Sequence, residues 1–300
     1  MRITLTGASG FIGSRLIARL LERNHTLHLL GRRRPANLPA AVQFSPWDAT
    51  AGDAPPTAAL EGSGAVIHLA GEPVAQRWTP AVKQRIRTSR VDGTQALLRA
   101  IAQLPVKPQS FIAASAIGFY GDRGDELLTE TASPGAGFLP EICVAWESAS
   151  SQAAQQGIRT VLLRIGIVLG PDGGALAKMI TPFRMGVGGK VGSGRQWMSW
   201  IHAEDAVGLI LHALETPHLK GPMNVTAPSP VRNADFTRSL GKALHRPTLI
   251  PVPEFGLKLV FGEMASMLIS SQRVHCAAAR GSGYRFQYPD LDAALSNLFR

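Results

Sequence analysis

The chain predicts an α/β fold: a doubly wound parallel sheet with a smaller, mostly helical C-terminal part. Three observations predict it. β-prone runs alternate with helical patterns through the first half. The first run ends in a turn with glycines at fixed spacing. After Gly170 the texture becomes glycine-rich and then proline-punctuated.

Arg2-Ile3-Thr4-Leu5-Thr6 is the first strand, and it stops at Gly7-Ala8-Ser9-Gly10-Phe11-Ile12-Gly13. Apolar Leu16, Ile17, Leu20 and Leu21 then recur at helical spacing, and Thr26 to Leu30 closes a βαβ unit. Val42 to Ser45 reads as a third strand and Ala65 to Leu69 as a buried one. Thr79 to Gln103 carries a helical pattern, and Ser110 to Ala114 is the next strand. A helix from Phe138 to Gln156 precedes one long buried strand, Thr160 to Leu169. Beyond Gly170, one amphipathic stretch (Leu176, Met179, Ile180, Phe183) sits inside a glycine-rich connection. Segment 171–202 is therefore expected to form a glycine-hinged lid, with Arg184, Lys190 and Arg195 facing a ligand. Strands near 198–201 and 223–226, with a helix from Glu204 to Leu214 between them, are expected to return to the core. The division expected is a Rossmann core over 1–170, with the lid and substrate part over 171–300.

The glycines of the first turn have mechanical roles. Gly7 lets the chain turn out of the strand, Gly10 lets backbone approach a pyrophosphate, and Gly13 allows close helix packing. The helix start then offers N–H groups and a favourable dipole to phosphates. After Leu30, an enzyme specific for NAD carries an acid for the ribose 2′-hydroxyl. This chain has Gly31-Arg32-Arg33-Arg34 instead, and an arginine there pairs with a 2′-phosphate, so the expected cofactor is NADP.

Bulk composition narrows the classes. The 300 residues are 45% hydrophobic and 17% charged, ordinary for a packed globular protein. Net charge is +10, but the arginines are dispersed and aromatics make up 6%, so no base-stacking platform is indicated and no nucleic-acid partner is expected. No apolar run reaches the ~18 residues a membrane helix needs, and no membrane partner is expected. Two cysteines at no metal spacing, with no secretory leader pattern, point to the cytoplasm and to no metal. The expected partner is a small-molecule substrate, an anionic one included.

The turn Thr6 to Gly13 resembles the fingerprint of the extended and atypical short-chain dehydrogenase/reductases, the epimerase and dehydratase group. Later segments are similar to epimerase-family proteins of a cell-division-inhibitor-like branch: His68-Leu69-Ala70-Gly71-Glu72-Pro73, Gly118-Phe119-Tyr120-Gly121-Asp122, Leu163 to Gly174, and Trp200 to Asp205. The tail from Gly283 to Leu295 looks like that branch's C-terminal domain of unknown function. The resemblance implies pyrophosphate contact at Gly10, Phe11 and Ile12, 2′-phosphate and ribose contact at Gly31 and Arg32, and adenine contact at Asp48. It also implies that Leu69, Ala70 and Gly71 run beside the cofactor, that Ser89 and Arg90 meet it from a helix, and that Val168 sits near its nicotinamide end.

One departure from the superfamily stands out. These enzymes pair a tyrosine with a lysine four residues later, the lysine lowering the tyrosine pKa for proton transfer. Aligned on Glu147, this chain has Leu139 in the tyrosine slot and Cys143 in the lysine slot. Ser115 and Tyr120 are the remaining candidates for polarising a carbonyl. His202 beside Glu204 and Asp205 offers an imidazole that could equally cap the following helix. Two functions stay open: an NADP-dependent oxidoreductase or epimerase-like enzyme on a small polar substrate, or a catalytically degenerate NADP(H)-binding sensor.

Overall fold

A computed structural model describes residues 1–36 and 38–300. Five strands form in the order expected, β1 (Arg2–Thr6), β2 (Thr26–Gly31), β3 (Gln43–Pro46), β4 (Ala65–His68) and β5 (Ser110–Ala116). With Arg159–Ile165 and Gly221–Val225 they build a seven-stranded sheet in the order Gly221–Val225, Arg159–Ile165, β5, β4, β1, β2, β3. Every pairing is parallel. The sheet is a Rossmann-type doubly wound sheet, as its sequence predicted.

Strand side chains alternate between two apolar layers. Ile67 and Ile112 point to the face covered by α1 (Phe11–Glu22) and α5 (Ala203–Glu215), where Leu16, Leu20, Leu209 and Ile210 pack. Val66 and Phe111 point to the face covered by α2 (Pro80–Ala102) and α3 (Phe138–Gln155), with Leu97, Ile101 and Ala153. Near-continuous apolar strands follow from this double cover. Thr79 starts α2 by accepting the Val82 N–H at its side chain, with Pro80 in the first turn.

The long strand expected over Thr160–Leu169 divides at Gly166. There the chain leaves the main sheet, and Ile167–Leu169 pairs instead with Trp200–His202 in a separate two-stranded sheet. Packing explains the break, since a Cβ at Gly166 would stand 2.6 Å from the Ser199 carbonyl oxygen and 2.8 Å from the Thr226 methyl. Gly221–Val225 does join the main sheet, at its edge.

Within 171–202, α4 (Gly174–Arg184) buries Leu176, Ile180 and Phe183 against Trp200, Phe236 and Leu295. The middle of the expected lid thus belongs to a third apolar cluster shared with the C-terminal part. Asp205 ties that part down: its buried carboxylate accepts the Gln287 and Tyr288 N–H groups at 2.8 Å each and the Tyr284 hydroxyl at 3.0 Å. No described helix is long and apolar enough to cross a membrane.

Gly13 is crowded by its own turn rather than by the sheet, since a Cβ there would lie 2.2 Å from the Gly7 carbonyl oxygen. Gly13→Ala should therefore destabilise the fold by about 1–3 kcal/mol, as overpacked sites do. Denaturant unfolding measures this, and an unchanged midpoint would contradict the crowding.

Candidate functional site

Strand order reverses at β1, which has β2 on one side and β4 on the other, so the carboxyl ends of β1 and β4 are where a doubly wound sheet takes its ligand. The two loops there nearly touch. Gly7 has φ +73°, and a Cβ on it would stand 2.6 Å from the Leu69 carbonyl carbon. The Ala70 N–H donates to Thr6 Oγ1 at 3.1 Å. Gly10 begins α1 with no side-chain cap, and no acid occupies the first turn. Gly10, Phe11 and Ile12 therefore stand at a helix start open to an anion. The Phe11 ring wedges into the turn after Leu169, where Cβ atoms at Gly170 and Gly173 would come within 2.4 and 2.2 Å of it.

At the end of β2, Gly31 has nothing within 4 Å of its missing Cβ, and Arg32 is exposed beside it. Asp48 is half-buried, and its Oδ1 accepts the Thr50 N–H at 2.9 Å and the Thr50 hydroxyl at 2.8 Å, which closes a turn. Val168 is buried, in the Ile167–Leu169 strand that precedes the glycine turn.

Behind these strand ends runs a buried relay that the sequence did not reveal. Thr94 donates its hydroxyl to the Arg90 carbonyl, so it accepts from His68 Nε2 at 3.1 Å. His68 Nδ1 is then the acceptor for the Thr6 hydroxyl at 2.7 Å, which leaves Thr6 Oγ1 free to accept from Ala70. One proton direction satisfies the whole chain with a neutral imidazole. Burial pulls His68 down to about 4, with the Arg90 charge adding to it.

Arg90 itself lies under Gly71, whose Cβ would meet the guanidinium carbon at 3.2 Å. It donates to the Glu72 carbonyl at 3.0 Å and stacks over Trp146 at 4.9 Å. No carboxylate pairs with it among the described residues. Burial pulls its guanidinium down to about 10, so it is still a cation at neutral pH.

Ser115 and Tyr120 sit close together, but neither hydroxyl is free. Both join a buried network around Arg164. Arg164 holds Glu147 by two bonds of 2.8 Å and donates to Tyr120 Oη at 2.9 Å. Ser115 donates to Glu147 at 2.6 Å, and Tyr120 donates to Asn224 Oδ1 at 2.7 Å. Tyr120 is 0% exposed, and burial raises its pKa against the opposing pull of Arg164 and Asn224. Arg164 was legible in principle, because a charged residue within a buried strand run demands a partner.

Leu139 and Cys143, which the sequence comparison on Glu147 aligned with the tyrosine and lysine, both flank Gly118, at 3.5 and 3.7 Å from its missing Cβ. Burial, with Glu147 nearby, pushes the Cys143 thiol up to about 12, which rules it out as a thiolate at neutral pH. His202 Nδ1 accepts the Glu204 N–H at 3.1 Å, and its ring stacks on Tyr288 at 3.9 Å, so it caps α5 and braces the tail. Ser89 accepts the Glu72 N–H and turns its proton to Ile86. Lys178 donates to the Ala75 carbonyl, bridging α4 to the loop after β4. Arg184, Lys190 and Arg195 are all exposed. No group of three metal-capable side chains occurs among the described residues.

Residues 3–226 match the model of the NAD dependent epimerase/dehydratase family, and residues 252–298 match a domain of unknown function, DUF1731. The chain is 40% identical to the chloroplastic epimerase family protein SDR39U1 homolog of Arabidopsis thaliana over 298 residues, 98% of this chain and 86% of that one. It is 39% identical to epimerase family protein YfhF of Bacillus subtilis, across 99% of this chain and 98% of that one. The crystal structure of human epimerase family protein SDR39U1 (isoform2) with NADPH superposes with a TM-score of 0.89 at 33% identity, covering 99% of both chains.

Two outcomes follow from the buried networks. Tyr120→Phe leaves an Arg164 donor and the Asn224 acceptor unpaired, and should cost about 1–3 kcal/mol of stability. His68 has its pKa lowered on folding, so its contribution is complete above the unfolded value of 6.5 and is lost as pH falls toward about 4. That loss is on the order of 3 kcal/mol. The difference in unfolding free energy between the parent and His68→Asn should therefore shrink across this window, and a constant difference would refute the assignment.

Proposed function

The chain belongs to the NAD dependent epimerase/dehydratase family, and from that premise we propose that it is an NADP(H)-binding member whose output is the bound cofactor rather than tyrosine–lysine acid–base catalysis. One observation carries this reading. The tyrosine and lysine slots hold Leu139 and Cys143, while the hydroxyls of Ser115 and Tyr120 are both committed to the buried Arg164–Glu147 network. The Tyr120 phenol has no exposed surface and spends its proton on Asn224, which argues against it as the acid that meets a substrate oxygen. The sensor alternative is thereby favoured over the acid–base enzyme.

The residues fit a phosphorylated dinucleotide. The uncapped helix start at Gly10, Phe11 and Ile12 suits the pyrophosphate. Arg32, exposed beside the open space at Gly31, suits a 2′-phosphate. Ala70 and Gly71, fixed by the Thr6–His68 relay, would lie along the cofactor, with Arg90 beneath. Asp48 would reach the adenine with the carboxylate oxygen that Thr50 does not use. The NADPH in the human relative supports the same choice of cofactor. When bound, NADPH would supply a hydride from its nicotinamide and NADP⁺ would accept one. A second reading rests on Arg90: a partly buried guanidinium in no ion pair among the described residues can polarise a carbonyl or hold an anionic small molecule there.

Fluorescence titration with NADPH and NADH tests the first reading. NADPH should bind more tightly, and Arg32→Ala should weaken it by about 1.5–3 kcal/mol, roughly 10- to 150-fold, while leaving NADH unchanged. NADPH should persist in the presence of a panel of carbonyl compounds and nucleotide sugars. Oxidation of NADPH by one of them, slowed in kcat by Arg90→Lys at unchanged NADPH affinity, would replace the sensor reading with the second one.

A further inference from the structure

We propose that residues 184–190 and 246–260 form a docking face for an anionic lipid surface. Large apolar side chains exposed singly are ordinary, but a contiguous group marks an interaction site. Among the described residues eleven large hydrophobics are exposed, and seven of them fall in these two short segments. Leu249 is 86% exposed, Leu259 78%, Phe255 76% and Met185 72%, with Val260, Ile250 and Val187 beside them in the chain.

The fold brings the two segments together. Arg246 Nε donates to the Arg184 carbonyl at 3.1 Å, and the Val252 N–H donates to the Lys190 carbonyl at 2.8 Å. Gly189 lies so close to Ile250 that a Cβ would stand 1.7 Å from its carbonyl oxygen. The helix Glu254–Phe261 buries none of its residues fully. Its last residue, Phe261, packs instead with Met264 and Met267 in the cluster of Trp78 and Phe138, and Lys83 pairs with Glu263. The segment is thus anchored to the protein by other residues, which leaves Phe255, Leu259 and Val260 unused in folding.

Charge selects the occupant. The two segments contain Arg184, Lys190, Arg246 and Lys258 against a single acid, Glu254. All four cations are exposed, and none is in an ion pair among the described residues. Apolar side chains ringed by unpaired cations are the chemistry of a surface that settles into an anionic headgroup layer. The whole chain carries a net charge of +10, which adds long-range attraction to such a surface. The lack of a spanning apolar run, from which no membrane partner was expected, bears on crossing a bilayer and not on lying upon one.

Vesicle co-sedimentation of the full chain tests the proposal, using phosphatidylcholine alone and phosphatidylcholine mixed with phosphatidylglycerol. Binding should require phosphatidylglycerol and weaken with added salt. Lys258→Glu and Arg184→Glu should each lower partitioning by about fivefold or more, since one surface cation contributes about that factor. Phe255→Ser with Leu259→Ser should lower it by on the order of tenfold or more through lost apolar insertion. Val106→Ser, a lone exposed valine elsewhere, should change nothing. Circular dichroism and thermal unfolding of each variant separate lost docking from lost folding. No binding to the anionic vesicles, equal binding to neutral ones, or binding indifferent to the Phe255/Leu259 pair would overturn the proposal. Self-association abolished by that same pair, without vesicle binding, would assign the face to a second copy instead.

Discussion

The ion pair between Arg164 and Glu147 is the constraint on which the carboxyl ends of the sheet depend. Neither charge could be buried alone, because taking an unpaired ion out of water costs several kcal/mol. Bidentate geometry satisfies both, and the remaining hydrogen-bonding capacity recruits neighbours. Ser115 comes from β5, Tyr120 from the turn after it, Asn224 from the sheet edge, and the Glu130 carbonyl from the segment between β5 and α3. Asn224 passes the connection on to the His275 carbonyl, and Glu130 to the Ala278 N–H, so the C-terminal part hangs from the same centre. Removing one member would leave several others unpaired in a low-dielectric interior.

That network gives a physical account of why a serine and a tyrosine stand near the catalytic positions of the family without its acid–base pair. A hydroxyl can be required by the groups it satisfies, quite apart from any substrate. Here each one faces an ionised partner inside the protein. The slots beside them, free of that demand, hold an apolar side chain and a protonated thiol packed around Gly118. The carboxyl ends of β1 and β4 are held differently, by the Thr6–His68–Thr94 relay and by glycines that let backbone meet backbone. Among the described residues the two polar systems share no hydrogen bond, so the corner around Ser115 and Tyr120 is free to change while the other keeps its shape.

Much of this was legible in the sequence, and the rest had particular reasons to be hidden. Strand and helix order followed from apolar periodicity, and the first turn from the spacing of Gly7, Gly10 and Gly13, because both signals are local. The break at Gly166 was not, since nothing in Leu163 to Leu169 indicates that Ser199 and Thr226 crowd that one position. The environment of Tyr120 was hidden for the same reason: its partners Arg164 and Asn224 lie 44 and 104 residues away. His68 and Arg164 could have been flagged, as polar residues within buried strand runs, but burial alone names no partner. The amphipathic stretch at Leu176 to Phe183 was visible, while its packing on Phe236 and Leu295 depended on the tertiary fold.

The exposed helix Glu254–Phe261 shows where such reading reverses direction. Its sequence, mostly apolar with one lysine, would pass for an ordinary core segment. Only the fold shows that the inward positions are already supplied by Phe261, Met264 and Met267, and that Phe255, Leu259 and Val260 face water. Large apolar side chains held in solvent lose the hydrophobic gain of burial, worth about 1.5–3 kcal/mol for each one fully covered. Cations that carry no partner add nothing to folding at the same place. A surface of this kind is explained by what covers it outside the chain, and the charges choose between candidates by their sign.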